Sequence, residues 1–149
     1  MKAETDPITD DEWLLRRVRV EKFRTEKVPL ISPNAFEPRV KGRDPDSDGI
    51  SLYREACLTD VSEVLATIDT ARWSEYGIVR VPVSLIKSMR LSVQSTPDDR
   101  IKGHVVIPEL NAGEYEANKA RFTAIKEKLA TEASKDENLV LRPEQIEGG

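Results

Sequence analysis

Histidine and cysteine are almost missing: His104 and Cys57 are the single residues of each kind in a chain of 149. One cysteine excludes a disulfide framework and a thiolate metal cage, and it suits a reducing compartment. One histidine excludes a histidine-based metal cluster and leaves no second imidazole for paired acid–base work. Aromatic residues make up 5% of the chain, too few for a platform on which successive nucleic-acid bases stack. The internal glycines stand singly, so no glycine-rich loop cradles a phosphate. No run approaches the ~18 consecutive apolar residues of a membrane span. The opening MKAETDPITDDEW lacks the apolar run of a signal peptide. The expectation is a soluble, cytoplasmic protein with no membrane role and no cofactor. At this length one domain can bury roughly 68–70% of the surface its unfolded chain exposes, so a real core needs no staples.

Charge is what the chain has in plenty. Charged residues make up 34% of it, with a net charge of −4 at pH 7. The layout is uneven: residues 1–12 sum to −4, residues 134–149 to −2, and the stretch between them to +2. Within that stretch, residues 13–27 carry Arg16, Arg17, Arg19, Lys22, Arg24 and Lys27 against only Glu21 and Glu26. Such a cluster can hold phosphate backbones. The interspersed acids and the sequence pI of about 5.2 argue against nucleic acid as a partner and predict a solvated basic face.

Periodicity divides the chain further. Thr9 followed by Glu12 is a capping-box pattern ahead of Trp13, Leu14 and Leu15, and it predicts a short helix over 10–16 passing into an extended segment. Ser32-Pro33 predicts a single capped turn over 33–36. Ile50 to Tyr53 alternates as a half-buried strand does. Asp60 and Glu63 form a second capping box, predicting a helix over 60–68. Residues 77–83 are β-branched and predict a strand, followed by a helical turn or two from Ser84. Strands are also predicted at 91–94 and 104–107, parted by the Pro97-Asp98-Asp99 turn signal. Asn111 with Glu114 opens a long amphipathic helix over 112–133, its stripe formed by Tyr115, Phe122, Ile125 and Leu129. The fold class is therefore α+β: a small mixed or antiparallel sheet with short helices and one long C-terminal helix. The domain spans 10–133, between a flexible N-terminus (1–9) and a flexible acidic tail (134–149).

Few constellations carry chemistry. Asp44, Asp46 and Asp48, followed by Gly49 and Glu55, match the spacing of a calcium loop, in which alternating carboxylates converge on a hard cation. Pro38 and Gly42 deny it an entering helix, and Ser51 stands where the loop wants an aliphatic residue. A polar turn leading into a strand is the preferred reading, with no metal bound. His104 could serve a nucleophile such as Ser51, Ser84 or Cys57, but none of these sits in a nucleophile elbow.

Four short motifs follow one another along the chain. They are Asp11-Glu12-Trp13-Leu14-Leu15-Arg16-Arg17, Ser32-x-x-Ala35-Phe36, Asp48-Gly49-Ile50-Ser51 and Gly103-His104-Val105-Val106-Ile107. Together, over about residues 10–108, they resemble a group of small uncharacterised bacterial proteins with the pattern D-E-x-L-x-R-R, S-x-A-F, M/L-S-V and H-A-x-V. The chain departs from that pattern in the longer spacing before Ala35-Phe36, at Ile50, and in its C-terminal helix. The resemblance singles out Arg16, Arg17 and His104 and implies no activity. Three functions stand open from the sequence. The first is a non-enzymatic accessory or immunity-like protein acting on a protein partner. The second is a small enzyme or nucleotide-binding module using Arg16, Arg17, Tyr53 and His104. The third is nucleic-acid binding through 13–27.

Overall fold

Leu14 and Leu15 are adjacent in sequence, and both are fully buried. An extended chain with apolar layers on both sides achieves this, because successive side chains point to opposite faces. The computed structural model describes residues 1–24, 27–40 and 46–143, and in it this segment is a strand, β1 (Trp13–Arg19). The helix expected over 10–16 is thereby corrected. The Thr9–Glu12 turn does form, with Thr9 N donating to Glu12 Oε2 at 2.9 Å. Arg54 also claims that carboxylate, through Nε at 2.8 Å, and the chain leaves the turn extended.

Among the described residues the sheet has six strands in the order β4-β5-β2-β1-β3-β6. The others are β2 (Ile50–Arg54), β3 (Tyr76–Pro82), β4 (Gln94–Ser95), β5 (His104–Ile107) and β6 (Leu139–Leu141). Every pairing is antiparallel. The helices are α1 (Val83–Ser88), α2 (Ala112–Ala117) and α3 (Lys119–Ala133). The fold is α+β with one long helix near its C-terminal end. No helix among the described residues is long and apolar enough to cross a membrane.

The two faces of the sheet carry unequal loads. Leu14, Val18, Ile50, Leu52, Val79, Val81, Val105 and Ile107 meet Phe122, Ile125, Leu129, Ala130 and Ala133 of α3. This is the main core, and each large side chain in it contributes roughly 1.5–3 kcal/mol through burial. The other face carries a smaller cluster, with Leu15, Tyr53 and Ile78 beneath Val64 and Leu65 of a 3-10 turn over Val61–Leu65. The predicted capping box of Asp60 and Glu63 is present there, but the turn is 3-10 and stops at Leu65. The Ser32 cap is also present, accepting from Asn34 N at 3.2 Å ahead of a turn over Pro33–Phe36.

Two further expectations change. The helix predicted over 112–133 is broken at Asn118, whose backbone (φ −135°, ψ 50°) separates α2 from α3. The tail expected from Ser134 is structured over 134–143. Val79 pairs with Leu139 and Ile78 with Leu141, while Asn138 is fully buried and donates to Glu132 O at 2.8 Å. Three apolar residues suffice there because a paired edge strand needs one buried face and no helical period. Residues 144–149 lie outside the described residues. At the other end, the segment expected to be a flexible N-terminus lies against the end of β2. Lys2 N donates to Ala56 O at 2.7 Å, and Arg54 Nη1 donates to Asp6 O at 2.9 Å.

Candidate functional site

Strand β1 pairs with β3 along all seven of its residues, but with β2 only at Leu14↔Arg54 and Leu15↔Tyr53. Past Leu15 the two strands part, and a cleft of about 310 Å³ opens between them. Arg16 fills the root of this gap. Its Nη1 donates to Ser51 O at 2.7 Å and its Nε to Ala35 O at 3.0 Å. Arg17 projects from the opposite face of β1. Its Nη1 donates to Thr67 Oγ1 at 2.9 Å and to Val64 O at 3.2 Å, and its guanidinium lies 5.8 Å from the centroid of the Tyr53 ring. Both arginines line the cleft with Arg19, Arg39, Tyr53, Tyr76 and Ser51.

The charge balance of the walls is decided by who pairs with whom. Asp46 faces Arg39 at 3.7 Å, and Glu37 faces Lys126 at 3.4 Å. Arg19 is held between Glu21 at 3.3 Å and Glu75 at 3.8 Å, and donates to Tyr76 Oη at 3.2 Å. Arg16 and Arg17 differ from these. Their partners are carbonyls and one hydroxyl, and among the described residues neither forms an ion pair. Arg16 Nη2 and Arg17 Nε and Nη2 donate to no protein group there. Burial pushes the Arg16 guanidinium down to about 10, opposed by the attraction of Asp46, so it remains a cation at neutral pH. A guanidinium that keeps its charge and spare N–H groups at a cleft wall is suited to a carboxylate or phosphate.

His104 does not line the cleft but stands behind it. Its Nδ1 lies 2.8 Å from Thr96 O and 2.7 Å from Thr96 Oγ1. Its Nε2 lies 3.0 Å from Ser51 Oγ, and its ring packs 5.4 Å from that of Tyr53. The pairing of Tyr53 with His104 across β2 and β5 sets this arrangement. Of the residues named from sequence, Arg16, Arg17 and Tyr53 meet in one cleft, and His104 reaches it through Ser51. Arg19, Arg39 and Tyr76 were not singled out, although the basic run over 13–27 contained the first of them.

The acidic pattern comes apart along β2. Asp46 lies before the strand, bound to the backbone N–H of Arg39 at 2.7 Å, whereas Glu55 lies beyond its far end, 3.7 Å from Arg80. Asp48 is exposed, and Asp44 lies outside the described residues. Among the described residues no group of three potential metal ligands gathers anywhere. The basic run is likewise divided. Arg16 turns toward the main core, Arg17 and Arg19 toward the other face, and Arg24 folds back onto Pro29 O at 2.6 Å.

The chain matches no protein-family model, no curated protein and no solved structure. Function is therefore read from the cleft itself.

Proposed function

We propose that the protein is a binding module for a phosphate-bearing small molecule, and that a nucleotide is the ligand class that fits best. One observation carries this reading: Arg16 and Arg17 bring to one cleft two guanidiniums that, among the described residues, form no ion pair and keep unspent N–H groups. The cleft is at the lower end of the range of small-molecule sites, roughly 300–1,000 Å³, which suits a compact ligand. The half-buried Tyr76 ring on its wall gives a flat base something to lie against, which inorganic phosphate alone would not use. The accessory-protein reading gains no comparable feature. Among the described residues the exposed large hydrophobics are Met1, Val20 and Val28, scattered singly and forming no docking patch.

Thermal unfolding with and without ligand tests the proposal. A nucleoside monophosphate at 100 times its dissociation constant adds about 2.7 kcal/mol to stability by mass action. The expected result is a raised midpoint with nucleoside phosphates, a smaller rise with inorganic phosphate, and none with the bare nucleoside. The rise should be lost in Arg17→Gln. Midpoints that ignore phosphate compounds at tens of millimolar, or that rise equally in the variant, would overturn it.

A further inference from the structure

Ser51 lines the arginine cleft, and its hydroxyl oxygen is hydrogen-bonded to the only imidazole in the chain, 3.0 Å from His104 Nε2. Which atom holds the proton follows from the other side of the ring. Nδ1 faces both Thr96 O at 2.8 Å and Thr96 Oγ1 at 2.7 Å. The hydroxyl can give or take, but the carbonyl only accepts, so the proton on Nδ1 is the arrangement that sets no lone pair of the ring against the carbonyl. In the neutral ring Nε2 is then a bare acceptor, and Ser51 O–H donates to it. The Tyr53 ring holds the imidazole from one side. A hydroxyl on a residue of the cleft wall, a base accepting from it, and a third group fixing the tautomer of that base are the three parts of an activated nucleophile. Here the orienting group is a backbone carbonyl, where hydrolases of this kind often use a carboxylate.

We propose that Ser51 and His104 are the nucleophile and general base of an acyl-transfer site, acting on a carboxylic ester whose phosphate group sits on Arg16 and Arg17. The substrate class rests on the phosphate-binding reading of the cleft; the nucleophile–base pair does not. Ser51 Oγ attacks the ester carbonyl carbon while its proton passes to His104 Nε2. The carbonyl electron pair moves onto oxygen. Collapse breaks the bond to the leaving alkoxide, which takes the proton from Nε2 and departs as an alcohol. Water then repeats the sequence on the Ser51 ester, with His104 again taking and returning the proton. The acid is released and Ser51 restored, so the net change is ester plus water to acid plus alcohol.

Diisopropyl fluorophosphate probes the pair directly. Ser51 Oγ displaces fluoride from phosphorus, and the adduct is read by intact mass and by the labelled peptide. The expected result is one adduct per chain, on Ser51, formed more slowly when inorganic phosphate fills the cleft. Ser51→Ala should give none. His104→Asn, which keeps a donor for Thr96 O but no base for Ser51, should label at least about 100-fold more slowly, the loss typical of a missing general base. His104→Gln serves the same purpose if the first variant does not fold. Labelling absent from Ser51 while phosphate still raises the melting point would overturn the pair and leave the anion site standing. Equal rates in a folded His104 variant would overturn it as well. Histidine-dependent labelling that phosphate neither slows nor accompanies with a raised melting point would overturn the substrate class and the anion reading together.

Discussion

Arg54 and Arg16 lie on neighbouring strands, and their surroundings differ in burial and in counter-ion. Arg54 is fully buried and saturated. Its Nε and Nη2 grip the two oxygens of Glu12 at 2.8 and 2.9 Å, while Nη1 and Nη2 reach the carbonyls of Glu4, Asp6 and Pro7. Arg16 is half-buried and donates to two carbonyls, and among the described residues it forms no ion pair. Two charges in a bidentate pair neutralise each other and bind the N-terminal segment to β2. A guanidinium facing only carbonyl dipoles keeps its full charge. The first arrangement is what a structural clamp requires, and the second is what a ligand site requires.

The contrast can be broken most forcefully at the clamp. Glu12→Gln leaves the Arg54 charge buried without its counter-ion, and the expected loss of stability is about 3–5 kcal/mol, read from denaturant unfolding. A loss within 1 kcal/mol would mean that Arg54 is no more committed to its carboxylate than Arg16 is. Leu139→Ala gives the scale for apolar loss alone. Leu139 is 8% exposed, so about 2 kcal/mol is expected, near the low end of the buried-leucine range. An unchanged unfolding midpoint would show that β6 adds nothing to the sheet.

Acid probes the clamp without a substitution. Burial raises the Glu12 carboxyl, but hydrogen bonds from Arg54, the Thr9 backbone and Lys2 outweigh it and hold it at about 2, against an ordinary 4.5. Because the folded value is the lower one, the contribution of Glu12 is complete above about 4.5 and is lost as pH falls from there toward 2. Wild type should therefore lose stability across that window more steeply than Glu12→Gln. Parallel curves would contradict the assignment. The smallest effect on stability belongs to the cleft. Arg17→Gln removes bonds to a carbonyl and a hydroxyl at a half-buried site, so a change of about 1 kcal/mol or less is expected in unfolding. Phosphate affinity in the same variant should fall at least tenfold, since one of two charge-assisted contacts is gone.

Those two arginines were visible in the sequence as a basic pair, but their separation onto opposite faces was not, because a helix was predicted where β1 runs. The capping signal at Thr9 and Glu12 is genuine chemistry serving one turn, and seven cross-strand pairings with β3 override it beyond. Ile50–Arg54, Tyr76–Pro82 and His104–Ile107 were legible because β-branched or alternating apolar runs are local signals. Leu139–Leu141 was not, since its partners Ile78 and Val79 lie about sixty residues upstream and three residues carry no period. The same limit hid the hydrogen bond from Ser51 to His104, which exists because β2 and β5 pair across an intervening half-sheet of sequence. The splay of β1 from β2, which makes the cleft, is a matter of register and leaves no trace in residue type.

Side-chain NMR of the arginine Nε–H groups compares the clamp and the cleft in a single titration with inorganic phosphate. The expected result is that the Arg16 and Arg17 resonances shift and saturate together while that of Arg54 stays in place. Resonances that all drift without saturating, or an Arg54 signal that moves as far as the other two, would show that the cleft holds no anion site and that the two arginine environments are equivalent.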